Sequence, residues 1–244
     1  EIADRDWSSD VCSSDLKELI DSYDKISWED LKRIKFDRQL PAKILYPYGL
    51  DASVLFSLKM TDYPALATII QGIQQWNHVT DTESVGALYY NIAYYQASKI
   101  RTNGSKEPLT EAEALQLCQY VHDFLMKHYG KLDVKLGEFQ RLVRGQEDWP
   151  QAGMPDVLAA VQTEAWGESK RKMNSGDAYI GFVKFPKGGG LPLIETVNTF
   201  GANSHPESKH FADQRELYQA QKTKVMTLDK AEVLKKAERI YQPD

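Results

Sequence analysis

The run Ala178-Tyr179-Ile180-Gly181-Phe182-Val183-Lys184-Phe185 constrains the fold most, because it reads as a strand with apolar side chains on both faces. Successive strand residues point to opposite sides of a sheet. Tyr179, Val183 and Phe185 therefore share one side, and Ile180 and Phe182 the other. Such a strand suits a sheet covered on both sides. Without both covers, an edge or face is left bare and invites association. Pro192 to Phe200 reads as a second strand, and Pro186-Lys187-Gly188-Gly189-Gly190 as the hairpin turn between them, its glycines allowing positive φ.

The preceding sequence has a different period. Val85, Leu88, Ile92 and Tyr95 recur at helical spacing and predict an amphipathic helix from Glu83 to about Ile100, ended by Asn103-Gly104. Thr110 with Glu113 forms a capping box that opens a helix to Tyr129, with Ala114, Leu117, Val121, Phe124 and Leu125 inward and Gly130 as its stop. Ser27 with Asp30 caps a shorter helix from Trp28 to about Lys35. Helices are also expected over Leu19–Tyr23, Ala52–Met60 and Tyr63–Trp76, and a loop over Pro41–Gly49. Glu138–Val143 reads as a short strand. His210–Gln221 and Leu228–Tyr241 read as closing helices, the latter capped by Thr227. The class is α+β: a helical first half, then a β-hairpin and closing helices.

Bulk properties narrow the function. The 244 residues are 42% hydrophobic and 27% charged, with a formal net charge of -5. That length suffices for a sizeable core as one large domain or two small ones. The acidic balance gives no footprint for nucleic acid, and no apolar run is long enough to span a bilayer. The acidic N-terminus has no apolar signal core. Cys12 and Cys118 give neither a disulfide framework nor zinc spacing. Cys118, between Leu117 and Val121, reads as a small core residue.

Candidate sites each have a structural alternative. Gly188-Gly189-Gly190 lacks the Lys-Ser/Thr of a phosphate loop, so the hairpin turn is the better reading. His122 and His128 are six residues apart on one helix, about 120° apart around its axis, and do not share a metal easily. His78 follows a helix end, where a histidine suits the dipole. His205, His210 and Asp213 lie close to Ser204 and Ser208, the residue types of a nucleophile triad. A triad is defined by geometry rather than proximity in sequence. A structured loop in which Ser208 or Asp213 bonds backbone amides is favoured.

The string Asp6-Trp7-Ser8-Ser9-Asp10-Val11-Cys12-Ser13-Ser14-Asp15-Leu16 has no helical or strand period. It resembles the translation of a common sequencing adapter, residue for residue. Residues 1–16 are therefore set aside as a non-native, adapter-derived segment, and Cys12 with them.

Several stretches resemble the penicillin acylase and acyl-homoserine-lactone acylase family. Leu136-Gly137-Glu138-Phe139-Gln140-Arg141-Leu142-Val143-Arg144-Gly145 is similar to its Trp-Gly-Glu-x-x-Arg-Leu-x-Arg-Gly run. Met154-Pro155-Asp156-Val157-Leu158 is similar to its Gly-Pro-Asp-Val-Leu. Gly176-Asp177-Ala178-Tyr179, the strand after it, and Ser208-Lys209-His210-Phe211-Ala212-Asp213-Gln214 resemble its Gly-Asp-Ser-Tyr and Ser-Pro-His-Tyr-x-Asp-Gln, with Lys209 and Phe211 departing from the pattern. Ile26–Pro41 and Leu88–Tyr95 also fit.

The resemblance implies that residues 17–244 are the C-terminal part of a β chain in a four-layer αββα N-terminal-nucleophile hydrolase. Its partners would be an α chain, the remainder of the β chain and a small N-acyl amide substrate, in the periplasm or outside the cell, with no nucleic acid, membrane or cofactor. In such enzymes a terminal serine attacks the amide and its own α-amine is the base. An asparagine and a backbone N–H hold the oxyanion. The resemblance places the serine, the asparagine, its supporting arginine and the calcium ligands upstream, so this chain is expected to carry no catalytic, cofactor or metal residue. The fragment alone is expected to be inactive. The alternative is a free-standing, non-catalytic binding module.

Overall fold

A computed structural model describes residues 16, 17, 19–41, 45, 46, 50–100, 107–237 and 240. The chain divides into two compact units, residues 1–176 and 177–244. Cys12 and Asn103-Gly104 lie outside the described residues.

The first unit begins with residues 19–21 helical and then α1, Trp28–Lys35. Ser27 caps α1, its hydroxyl accepting the Asp30 N–H while the Asp30 carboxylate accepts the Ser27 N–H. Two-residue strands β1 (Leu45–Tyr46) and β2 (Leu50–Asp51) pair antiparallel within the stretch expected to be loop. The helix expected over Ala52–Met60 is instead one 3₁₀ turn, Ser53–Phe56. Its backbone is diverted at both ends: Asp51 Oδ1 accepts the Ser53 N–H, and the Leu58 carbonyl accepts from Gln74 Nε2 at 2.7 Å. Tyr63–Trp76 shortens to a 3₁₀ turn, Pro64–Leu66, followed by α2, Ala67–Gln74.

α3 (Val85–Ile100) crosses α2 at a close approach. A Cβ at Gly72 would lie 2.5 Å from the Tyr89 ring, and one at Gly86 would lie 2.5 Å from Trp76 Cβ and 2.6 Å from the Gly72 carbonyl oxygen. Two glycines thus let the backbones meet where any side chain would hold them apart. α4, Glu111–Tyr129, follows its sequence signals closely. Thr110 and Glu113 cap each other reciprocally, and Gly130 ends the helix at φ 67°. Ala114, Leu117, Cys118, Val121 and Leu125 are buried, and Phe124 packs on the core while partly exposed. Each fully buried aliphatic side chain contributes about 1.5–3 kcal/mol by leaving water.

A one-turn helix, α5 (Leu136–Phe139), leads into a four-stranded sheet of β3 (Gln140–Arg144), β4 (Glu147–Pro150), β5 (Val161–Trp166) and β6 (Lys170–Gly176), ordered β4-β3-β6-β5. β3 and β6 are parallel; the other pairs are antiparallel. Buried Gln140 ties this sheet to α3, accepting from Asn91 Nδ2 and donating to the carbonyls of Gln151 and Gly153.

In the second unit β7 (Tyr179–Lys184) and β8 (Leu193–Asn198) form the expected hairpin, with Gly189 and Gly190 at positive φ. β9 (Lys224–Met226), not read from the sequence, adds to β8. Ile180, Phe182 and Val197 are buried. The opposite face carries the cross-strand row Val183–Ile194–Met226 with Tyr179 and Phe185 on the same side. There Val183 is 47% exposed, Met226 42% and Phe185 76%. One side of the doubly apolar strand is covered and the other is bare.

The closing helices are shorter than expected. The Gln214 N–H is taken by the Phe200 carbonyl, so α6 starts only at Arg215, and it stops at Gln219 before Gln221 turns to φ 56°. α7 is Lys230–Lys236, capped by Asp229 rather than Thr227. The Thr227 hydroxyl accepts the Asp229 N–H and forms the turn that precedes the cap. Among the described residues no helix is long and apolar enough to cross a membrane.

Candidate functional site

A concavity lies within the first unit, between α3, α4, α5 and the β5–β6 hairpin. It is an open cavity of about 400 Å³, inside the range of about 300–1,000 Å³ typical of small-molecule sites. α3 supplies Ile92, Tyr95, Gln96 and Lys99, the i, i+3, i+4, i+7 set that shares one helical face. α4 adds Tyr120 and Phe124, and α5 adds Phe139. Phe124 stacks with Tyr120 at 6.1 Å between ring centroids and meets the edge of Phe139 at 5.9 Å.

The hairpin closes the other side with Ala165, Gly167, Glu168, Lys170 and Arg171. Gly167, at φ 69°, makes its turn, which Tyr129 anchors by donating from its hydroxyl to the Ser169 carbonyl at 2.8 Å. Burial pushes the Tyr129 phenol up to about 12, so it remains a donor at neutral pH.

Arg171 is the organising cation. Its guanidinium carbon sits 3.6 Å from the Tyr95 ring centroid. Nε donates to Thr163 Oγ1 at 2.8 Å, and Nη2 donates to the Thr163 carbonyl. Thr163 in turn donates to the Tyr95 hydroxyl from its Oγ1 and from its backbone N–H. Partial burial lowers the Arg171 pKa from the usual arginine value, opposed chiefly by Tyr95. Lys170 Nζ is 3.8 Å from the Asp148 carboxylate and 5.5 Å from the Trp166 ring.

The histidine–serine group of the second unit is a structured loop. A Cβ at Gly201 would lie 2.1 Å from the His210 carbonyl oxygen, and that carbonyl accepts the Asn203 N–H. His210 Nδ1 and Asp213 Oδ2 are 2.7 Å apart, so an imidazole–carboxylate pair exists. The Ser208 hydroxyl, however, accepts the His210 backbone N–H at 3.2 Å. Among the described residues no serine hydroxyl bonds a histidine ring. His205 is held through its own N–H on Asn203 Oδ1. The loop has two members of a triad and lacks the bond that activates a nucleophile.

The remaining candidates separate. His122 contacts Asp123 at 2.9 Å, and His128 packs on Phe124 with centroids 4.7 Å apart. Among the described residues no three acidic, histidine or cysteine side chains form a metal-binding group. Cys118 is buried, and burial pushes its thiol up to about 12. His78 does not serve a helix dipole. α2 ends at Gln74, and His78, at φ 61°, lies between Phe56 and Trp76 at 5.0 and 5.4 Å, where burial lowers its pKa.

A family model for penicillin amidase matches residues 2–235. This chain belongs to the penicillin amidase family. An acyl-homoserine lactone acylase, PvdQ, of Pseudomonas fluorescens is 29% identical over 104 residues, which is 41% of this chain and 13% of that protein. A thermostable penicillin G acylase from Alcaligenes faecalis aligns over 95% of this chain and 52% of its own, at 11% identity and a TM-score of 0.48. The chain thus matches about half of the one relative and a smaller share of the other. The family model covers the helical half, the four-stranded sheet and the β7–β8–β9 hairpin unit together. The penicillin amidase motifs at Leu136–Gly145 build α5 and β3, and the Ser208–Gln214 motif builds the Gly201–Gln214 loop.

Proposed function

We propose that this chain is the C-terminal part of an amidohydrolase that cleaves N-acyl amides, such as β-lactam side chains or acyl-homoserine lactones. On this reading the serine nucleophile belongs to a part of the enzyme outside these 244 residues. The observation that carries the reading is the penicillin amidase match over residues 2–235. The Ser208 geometry supports it, since among the described residues its hydroxyl meets no histidine ring that could take its proton. The contribution of this chain is scaffold: capped helices and a sheet that hold other layers in register. Residues 1–16 are read as adapter-derived, although the penicillin amidase match begins at residue 2. The intact enzyme would act in the periplasm or outside the cell.

Recovery and expression of the uninterrupted gene tests this reading. The expected product matures to a new N-terminal serine and hydrolyses N-acyl amides. A complete reading frame with no such serine, or a mature protein without turnover, overturns it.

A further inference from the structure

The cavity between α3, α4 and the β5–β6 hairpin is not needed for the reading above. Its lining divides by chemistry. Ile92, Tyr95, Tyr120, Phe124, Phe139 and Ala165 make an apolar, largely aromatic wall. Lys99, Lys170 and Arg171 bring three cations, against the single carboxylate of Glu168.

Those cations are not equally engaged. Lys170 is committed to Asp148 and Trp166. Among the described residues no carboxylate lies within 4.0 Å of Lys99 or of Arg171, and Glu164, whose charge acts on Arg171 from farther off, pairs with Lys172 at 3.2 Å. Arg171 spends Nε and one Nη2 N–H on Thr163 and a further side-chain hydrogen bond on Tyr95, which is fewer than the five donors of a guanidinium. The guanidinium carbon is held 3.6 Å from the Tyr95 ring centroid, and the group is tethered to Thr163 by two hydrogen bonds. A fixed guanidinium with donors to spare is pre-organised for an oxyanion, and little side-chain entropy remains to be lost on binding. Beside it, the wall offers an apolar body a surface from which water is readily displaced.

We infer that this cavity binds a small amphiphilic carboxylate, its carboxylate between Arg171 and Lys99 and its aromatic or alkyl body against Tyr120, Phe124 and Phe139. A charge-assisted bond at one end and apolar contact at the other define the class: free organic acids with a ring or short chain, rather than inorganic anions or neutral amides.

Titration calorimetry on the whole chain tests this, with 4-phenylbutyrate, its neutral amide 4-phenylbutanamide, and inorganic phosphate as probes. The acid is expected to bind about tenfold more tightly than the amide, a difference that reads the charged end alone. Phosphate, which has no apolar body, is expected to show no saturable binding. Lys99 is exposed and makes no hydrogen bond the fold relies on, so Lys99→Glu keeps the protein folded. It should weaken the acid about tenfold or more and leave the amide unchanged. Lys59→Glu, outside the lining, should leave both unchanged, and Phe124→Ala should weaken acid and amide together. Equal binding of acid and amide overturns the inference. So does acid binding indifferent to Lys99→Glu, or no acid binding up to about 10 mM.

Discussion

The Arg171 guanidinium lies 3.6 Å from the centre of the Tyr95 ring, and the Tyr95 hydroxyl accepts both the side-chain O–H and the backbone N–H of Thr163. One tyrosine on α3 therefore takes an N–H in the middle of β5, an edge strand, and holds the cation of β6. Tyr95→Phe keeps the ring and the stacked charge but leaves the buried Thr163 N–H without its acceptor. A buried unsatisfied donor costs about 1–3 kcal/mol. Urea unfolding should show a lower midpoint at unchanged slope. An unchanged midpoint would mean that solvent satisfies Thr163 and the bond contributes nothing.

The α2–α3 crossing makes a second prediction. A Cβ at Gly86 meets backbone as well as side chain, 2.6 Å from the Gly72 carbonyl oxygen. Gly86→Ala should cost about 1–3 kcal/mol despite alanine's better helix propensity, because packed backbones yield less readily than a mobile side chain. Gly130→Ala is the contrast. Nothing lies within 4 Å of its Cβ, and the penalty there comes from φ 67° alone. If Gly86→Ala stabilises the protein, the helices are not in contact at that point.

His78 gives stability a pH dependence. Burial between Phe56 and Trp76 lowers its folded pKa below the usual histidine value of about 6.5. The unfolded chain then binds the proton more readily, so the neutral ring's contribution is full above pH 6.5 or so and is lost as pH falls through that value toward the folded pKa. His78→Asn tolerates the positive φ and should flatten the stability profile below pH 7. A slope that survives the substitution assigns the titration to another group.

The bare sheet face should be visible in solution. Val183, Ile194 and Met226 form one row across three strands, with Phe185 beside them. A contiguous exposed apolar patch favours self-association. The chain should bind a hydrophobic dye and form oligomers at high concentration, and a Val183→Lys, Phe185→Lys variant should lose both properties without a lower melting temperature. A wild-type chain that stays monomeric and binds no dye contradicts the exposed face.

What the sequence made legible depended on how local the signal was. The caps of α1 and α4 and the stop at Gly130 follow from residues three positions or fewer apart, and the structure keeps them. The β7–β8 hairpin was legible from its glycines and aromatics. β5 and β6 were missed, although Val161, Thr163 and Ala165 alternate with Gln162 and Glu164 around the Gly167 turn. Lys170-Arg171-Lys172-Met173-Asn174-Ser175-Gly176 has no apolar period, and pairing with β5 and β3 decides its conformation. The lining of the cavity was hidden for a related reason. Tyr95 showed its helical face and read as core, while its partner Arg171 is 76 residues further along the chain, brought near only by the sheet. The closing helices were overextended because Gln214 and Gln221 are held by loop bonds that propensity does not report.

The most direct test of the scaffold reading is an amidase assay of the purified chain against phenylacetyl, glutaryl and long-chain acyl amides, alongside Ser204→Ala and Ser208→Ala variants. The Ser208 hydroxyl accepts a backbone N–H and meets no histidine ring, so the wild-type chain is expected to show no turnover above that of the two variants. Turnover by the wild-type chain that disappears in either variant would place the nucleophile inside this chain and contradict the account.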